Sequence, residues 1–245
     1  MPSRVCPLPS RSLILSLMGS SALALAGCAA GPGATPTPRP DAESAPLMPS
    51  TLFSGGAEAF TAWHCTPDQD LVTAAPDGEE LRLWSAHGAW RLAPAVVASG
   101  ARYQQGELSF WNKGDGAIVE SPRGRLECQA HMRRRALTRR DRPGVMFHAR
   151  GNEPGWMVSL AHDRPEASLT LDYGERQLTL PYRVTTLDNG AGRVILASGR
   201  ADTPFELRVE AGACFDDMSG EPFPARVTLT VDGEQYRGCG QGIAL

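Results

Sequence analysis

The sequence lacks a strong excess of charge of either sign. Its 24 Lys+Arg and 27 Asp+Glu residues give a formal net charge of −3. Residues 1–27 carry Arg4 and Arg11 and no acid, so the remainder holds 22 basic and 27 acidic side chains. Because a nucleic-acid-binding protein needs a basic face to neutralise phosphates, this balance argues against nucleic acid as a partner. The apolar content of 42% excludes a wholly disordered chain.

Recognisable catalytic and metal-binding motifs are also missing. The five histidines form no HExxH or HxH pattern, and no GxSxG elbow is present. Asp216 and Asp217 stand beside Ser219-Gly220, a setting more typical of a turn than of a catalytic pair. We therefore expect no metal, no cofactor and no enzymatic activity. A hydrolase is disfavoured because no nucleophile and base can be named.

The N-terminus carries the features of an export signal. Arg4 and Arg11 precede the apolar run 12–27, which is too short to span a bilayer as an ordinary helix and is typical of a secretory signal peptide over residues 1–27. The run ends in Leu25-Ala-Gly-Cys28, which resembles the lipobox of bacterial lipoproteins. This resemblance predicts cleavage before Cys28 and lipidation of its thiol, with palmitate among the acyl chains. An ordinary signal peptide with an accidental cysteine is the alternative.

The residues after the cysteine predict where the protein is held. Ala29 follows Cys28 where an Asp would signal retention, so resemblance to lipoprotein sorting in Gram-negative bacteria implies the outer membrane, with the protein facing the periplasm. Residues 28–50 are rich in Pro and small polar residues and have no hydrophobic period, which predicts a semi-extended tether.

Short alternating runs separated by turn residues predict an all-β fold. Val227–Val231 alternates, Asp232-Gly233 follows, and a second polar-apolar run begins at Glu234, which together predict a hairpin. Two further hairpins are predicted within 168–180 and 117–128. Short antiparallel strands avoid exposed edges by closing, so barrels or sandwiches are expected.

An Arg-rich segment interrupts this pattern. His131–Arg142 contains six Arg against one Asp and is followed by Pro143-Gly144. We predict a linker over 131–144 that divides a domain at 51–130 from another at 145–245. The alternative is a patch that contacts lipopolysaccharide phosphate or another anionic polymer.

Four cysteines remain once Cys6 is removed with the signal and Cys28 is lipidated. Cys65, Cys128, Cys214 and Cys239 allow three pairings, and the sequence alone does not choose among them. Export to an oxidising compartment favours disulfides over metal ligation. The local pairing would place one bridge on each side of the Arg-rich segment.

Two segments of the first domain stand out, Ser99-Gly-Ala-Arg-Tyr103 and Trp111-Asn-Lys-Gly114. Lys113 is the single lysine among 24 basic residues. In a chain so biased toward arginine, a lone lysine indicates a position that needs a compact ammonium rather than a planar guanidinium, with chance as the alternative.

The two segments resemble the paired motifs of the membrane-bound and periplasmic inhibitors of C-type lysozyme. The likeness extends to Trp63-His-Cys65 and Leu126-Glu-Cys128, and covers about residues 52–130. It implies an antiparallel eight-stranded β-barrel with a disulfide, whose two motif loops enter the lysozyme cleft. The lipobox agrees with the membrane-bound branch of that family.

The resemblance implies a set of lysozyme-binding residues: Ser99, Gly100, Ala101, Arg102, Tyr103, Trp111, Lys113 and Gly114. A glycosidase cleft holds two carboxylates, one of them a proton donor, and an ammonium placed among them would oppose that role. Lys113 is the candidate cation, and Ser99 would hydrogen-bond at a catalytic carboxylate. Tyr103 would brace the loops or contact the enzyme, with a core position as the alternative. Residues 51–130 carry six basic and ten acidic side chains, which complements a basic enzyme.

The second domain, expected to be small and all-β, resembles an uncharacterised domain of proteobacterial envelope proteins. Asn152, Glu153 and Trp156 are candidates for a surface that recognises a wall glycan such as peptidoglycan, or another partner. A turn with a packed Trp is the alternative.

Two functions from different classes follow. The first is an outer-membrane-anchored protein that inhibits C-type lysozyme and is not an enzyme. The second is a structural or glycan-binding envelope lipoprotein without inhibitory activity. Sedimentation with peptidoglycan, compared with binding to lysozyme, distinguishes the two.

Overall fold

The computed structural model describes residues 48–76 and 79–244. The signal-like run, the lipobox with Cys28 and the tether up to residue 47 lie outside these described residues. The described part belongs to one compact unit, residues 41–245.

The first half of this unit forms a closed barrel of eight antiparallel strands. A 3-10 turn, Ser50–Leu52, precedes it. Its strands are β1 (Ala59–Thr66), β2 (Gln69–Ala74), β3 (Leu81–Ser85), β4 (Gly88–Ala95), β5 (Ala101–Gln105), β6 (Leu108–Lys113), β7 (Gly116–Ser121) and β8 (Gly124–Arg135). Each strand pairs with the next along the chain, and β8 returns to pair with β1.

The second half repeats this topology. Its strands are β9 (Val145–Asn152), β10 (Gly155–Ala161), β11 (Glu166–Leu171), β12 (Arg176–Asp188), β13 (Arg193–Ser198), β14 (Phe205–Phe215), β15 (Pro222–Val231) and β16 (Glu234–Gly242). A 3-10 turn, Asp172–Gly174, joins β11 to β12. β16 pairs with β9 and closes the barrel. The predicted all-β class, with an eight-stranded antiparallel barrel and a second all-β domain, is confirmed.

The predicted hairpins form where the turn residues favour them. Val231 pairs with Glu234 across Asp232-Gly233, whose φ angles are 51° and 87°. Two consecutive residues with positive φ match the twist of a two-residue hairpin, which explains the Asp-Gly pair. The hairpins within 117–128 and 168–180 are β7–β8 and β11–β12.

The second and third strands are buried on both faces. Leu71 and Leu83 point into the first barrel, whereas Val72 and Trp84 point outward and belong to a core shared with the second barrel. Phe60 of β1 joins this shared core and meets Trp84 edge-on, with 5.7 Å between ring centroids. Because strand side chains alternate between faces, one strand can contribute to both cores.

The Arg-rich segment differs from the linker that the sequence predicts. Its first five residues continue β8, where Arg134 pairs with Phe60 and Arg135 with Ala59. Arg134 is 9% exposed: its Nε donates to the Pro222 carbonyl at 2.8 Å, and its guanidinium lies 3.8 Å from the Phe223 ring centroid. The planar guanidinium is stacked on aromatic rings, so an arginine here connects the two barrels.

Each barrel contains one disulfide. Of the three pairings left open by the sequence, the structure has Cys65–Cys128 and Cys214–Cys239. Cys65 and Cys128 are register partners on β1 and β8. The sequence separation of 63 residues corresponds to a stabilisation of about 4 kcal/mol from the reduced entropy of the unfolded chain.

Candidate functional site

Two connections of the first barrel lie side by side at one end. The β4–β5 connection contains Ser99 and Gly100, and the β6–β7 turn contains Gly114. Connections that follow even-numbered strands of an antiparallel meander lie at the same end. β5 also pairs directly with β6, with Ala101 opposite Asn112. The two sequence motifs are therefore brought together.

Gly100 allows the two segments to touch. Its φ is +72°, and a Cβ at this position would lie 2.3 Å from the Asn112 carbonyl oxygen and 2.8 Å from Lys113 Cγ. Any larger residue would push the β4–β5 connection away from the end of β6.

Trp111 links the two motifs through its side chain. The indole Nε1 donates a hydrogen bond to the Ser99 carbonyl oxygen at 3.0 Å. The same ring faces Lys113, whose Nζ is 4.0 Å from the ring centroid. One half-buried indole therefore contacts both the β4–β5 connection and the lysine, and a cation–π contact of this kind contributes about 0.5–1 kcal/mol at an exposed site.

Lys113 is exposed at the end of β6. None of the ion pairs between described residues involves it. Lys113 pairs with Gly116 across Gly114-Asp115, and Gly114 has φ +60°, so the two-residue turn is tight. The Ala130 amide of β8 donates to the Asp115 carbonyl at 2.8 Å, which fixes the turn against the barrel.

A shallow hollow of about 300 Å³ opens beside this lysine. Its lining includes Trp111, Lys113, Ile118 and Gln129. The end of the barrel thus has a cationic group next to a partly apolar depression.

The other predicted binding residues are tied to the barrel wall. Arg102 is half-buried, with Nη2 at 3.3 Å from Ser109 Oγ and 3.7 Å from Glu120 Oε2. Tyr103 packs against the first core. Ser99, Gly100, Lys113 and Gly114 form the exposed part of the set, and Ala101, Arg102, Tyr103 and Trp111 form the half-buried part.

Two features of this site escape sequence reasoning. The bond from the Trp111 indole to a main-chain oxygen leaves no trace in the sequence, although the tryptophan itself lies in the motif. Val96, in the β4–β5 connection, is fully exposed.

Two candidate residues of the second barrel, Trp156 and Asp216, have structural partners, whereas Glu153 is exposed. Trp156 is 2% exposed, and its Nε1 donates to the Arg237 carbonyl at 3.0 Å, so it packs in the core and is not part of a recognition surface. Asp216 accepts hydrogen bonds from the amide and hydroxyl of Ser219 at 2.9 and 2.8 Å. Burial would raise the pKa of Asp216, but these hydrogen bonds and the positive charge of Arg150 lower it on balance. The carboxylate caps a turn.

Clusters that could hold a metal are not found among the described residues. Within the same part of the chain, no helix has the length and apolar character needed to cross a membrane.

Comparison with known proteins identifies the barrel that carries the site. No curated protein matches the chain. A family model, described as membrane-bound lysozyme-inhibitor of c-type lysozyme, matches residues 63–127. This stretch runs from β1 to β8 and includes both motif segments and the turn at Gly114. The first barrel therefore contains the stretch that matches the MliC family model.

Proposed function

We propose that the protein inhibits C-type lysozyme through the exposed end of its first barrel and has no enzymatic activity of its own. The observation that carries this proposal is the junction of the two motif segments, in which Trp111 contacts both Ser99 and Lys113. The family match to the same barrel supports the choice of partner.

The mechanism follows from the chemistry of a glycosidase cleft. Such a cleft places two carboxylates on either side of the scissile bond, and one must be protonated to act as general acid. The ammonium of Lys113 favours the ionised form of a nearby carboxyl and so opposes proton donation. The Ser99 hydroxyl donates to a catalytic carboxylate, and the tight turn at Gly114 fits the narrow space.

The charge of the domain supports association with a basic enzyme. Residues 51–130 carry six basic and ten acidic side chains. Complementary electrostatic fields of two proteins increase their association rate more than their affinity. We expect the association rate to fall as salt is added.

We propose that the protein is located at the outer membrane, as the N-terminal sequence predicts. Lipidation at Cys28 would hold the protein on the periplasmic face of the outer membrane, where it would protect peptidoglycan. Mass spectrometry of the mature N-terminus tests the lipidation directly.

Removal of either proposed contact group should weaken inhibition. For Lys113→Ala we expect a rise in the inhibition constant of about 10- to 100-fold, because a charge-assisted hydrogen bond contributes about 1.5–3 kcal/mol. Ser99→Ala should cost about tenfold or less. The measurement is lysis of bacterial cell walls by C-type lysozyme, followed by turbidity.

Arg123→Ala is the matched control, because Arg123 is exposed in the β7–β8 turn at the opposite end of the same barrel. It should inhibit like the unchanged protein. Full inhibition by both Lys113→Ala and Ser99→Ala would refute the contact site. Sedimentation of the protein with peptidoglycan, in the absence of lysozyme binding, would favour the glycan-binding alternative instead.

A further inference from the structure

The Arg-rich segment 131–142 takes no part in the proposed inhibitory site, and three of its six arginines are buried, half-buried or paired with an acid. Arg134 is buried between the barrels. Arg135 forms a bidentate pair with Asp141, at 2.6 and 3.0 Å. Arg142 Nη2 lies 3.4 Å from His148 Nε2. These contacts give the segment a fixed conformation.

The single acidic residue of the segment, Asp141, has its partners within the segment itself. Besides its pair with Arg135, Asp141 accepts hydrogen bonds from the amide and hydroxyl of Thr138, both at 2.8 Å. The hydrogen bonds from Arg135 and then those from Thr138 hold the pKa of Asp141 well below its usual range. Its charge is therefore matched within the turn.

The other three arginines, Arg133, Arg139 and Arg140, face solvent. None of the ion pairs formed between residues of the described part includes them. Arg139 Nη2 is 3.2 Å from His162 Nε2. Arg133 lines a surface hollow of about 660 Å³ together with Thr138, the residue before Arg139, and Glu58 is the acid among the lining residues. We call these three residues the arginine surface.

The charge of this segment is opposite to that of the rest of the protein. Residues 131–142 hold six Arg and one Asp, whereas the remainder of 28–245 holds sixteen basic and twenty-six acidic side chains. The net charge of the rest of the molecule repels an anionic partner, whereas the net charge of this segment attracts it. An asymmetric distribution of charge orients the protein relative to an anionic partner as well as attracting that partner.

We propose that the arginine surface docks the protein on an anionic phospholipid bilayer. Guanidinium groups bind phosphate in a bidentate manner. With Cys28 lipidated, as proposed above, the roughly 20 residues before Met48 reach about 60 Å when extended, so the barrels stay close to headgroups. This inference does not depend on lysozyme inhibition.

The test uses residues 41–245, the compact unit that lacks Cys28, so that acyl chains cannot cause binding. Sedimentation at low salt is compared between phosphatidylcholine vesicles and vesicles that also contain phosphatidylglycerol. We expect binding to the anionic vesicles only. The triple variant Arg133→Gln, Arg139→Gln and Arg140→Gln should lower the partition coefficient about 100-fold, at about 1 kcal/mol for each basic residue.

A second triple variant, Arg123→Gln, Arg208→Gln and Arg237→Gln, removes the same charge elsewhere on the two barrels. It should bind within about threefold of the unchanged protein. The proposal is overturned if the unchanged unit does not bind anionic vesicles, if both triple variants lose binding equally, or if lipopolysaccharide is bound and phosphatidylglycerol is not. Thermal unfolding of both variants establishes that folding is intact.

Discussion

At the scale of single residues, the lone lysine is exposed yet held in place. Its ammonium lies over the Trp111 ring, and the Trp111 indole is bonded to the Ser99 carbonyl. Trp111 is thus a positioning residue that fixes both proposed contact groups relative to each other. A fixed geometry reduces the entropy lost on binding.

Two substitutions of Trp111 should distinguish the effect of its hydrogen bond to Ser99 from the effect of its cation–π contact with Lys113. Trp111→Phe keeps a ring beside Lys113 but removes the N–H, so we expect the inhibition constant to rise about fivefold, since a hydrogen bond contributes about 1 kcal/mol. Trp111→Leu also removes the cation–π contact, and the rise should reach about 10- to 30-fold. An inhibition constant for the Leu variant equal to that of the unchanged protein, or losses that follow the unfolding temperature alone, would contradict this role.

Gly100→Ala should displace the β4–β5 connection. The new Cβ would meet the Asn112 carbonyl oxygen, and the φ of +72° disfavours a side chain. We expect inhibition to fall at least tenfold, with a loss of about 1–3 kcal/mol in the free energy of unfolding. Gly106→Ala is the control, since Gly106 also has positive φ (+56°) but an added Cβ has no neighbour within 4 Å. Equal effects of the two substitutions on inhibition would show that contact with β6 is unimportant.

At the scale of strands and turns, local signals in the sequence predict hairpins well. Asp232-Gly233 and Gly174-Glu175 lie at or beside tight turns. Such turns can be predicted because they depend only on the backbone preferences of their own few residues. The continuation of β8 through Arg133 and Arg135 is different. An arginine run is polar in composition, and its strand character depends on pairing with β1, far away in sequence.

The buried His148 should make stability depend on pH. It is 5% exposed on β9, and burial followed by the positive charges of Arg142, Arg150 and Arg134 lowers its pKa to about 4. The ordinary histidine pKa is about 6.5, so between these values the unfolded chain binds more protons than the folded protein. Stability should therefore fall by about 2–3 kcal/mol as the pH falls from 6.5 to 4.

Denaturant unfolding at pH 7 and pH 4.5 measures this effect. His148→Gln keeps a polar side chain without the titration, and most of the pH dependence in this window should disappear. His87→Gln, at an exposed position, is the matched control for replacing a histidine by glutamine. A slope that persists in His148→Gln would assign it to other groups.

At the scale of the whole molecule, the two barrels share a core. The sequence indicates two all-β modules, but it does not show that Val72 and Trp84 face a second barrel, because alternation defines two faces without saying what covers each. The contact is formed mainly by β2, β3 and β4 with β14, and by β1 with β15. Long-range packing of this kind has no local signal.

Neighbouring residues of β3 provide a test of the shared core. Trp84→Ala should raise amide exchange in β14 by about 100- to 5,000-fold, because deletion of a buried Trp costs about 3–5 kcal/mol. Leu83→Ala, whose side chain points into the first barrel instead, should increase exchange mainly in β2 and β4. Unchanged protection of β14 in the Trp84→Ala variant would mean that the barrels are energetically independent.

The arginine bias of the sequence makes one chemical measurement especially direct. Lys113 is the single lysine of the chain, so a carbodiimide that joins amines to carboxyl groups has one side-chain amine to use on this protein. Mass spectrometry of the cross-linked complex with C-type lysozyme should find Lys113 in an amide bond with a catalytic carboxyl of the cleft. A complex that forms while Lys113 stays unmodified, or joins only carboxyls outside the cleft, would contradict inhibition by this ammonium.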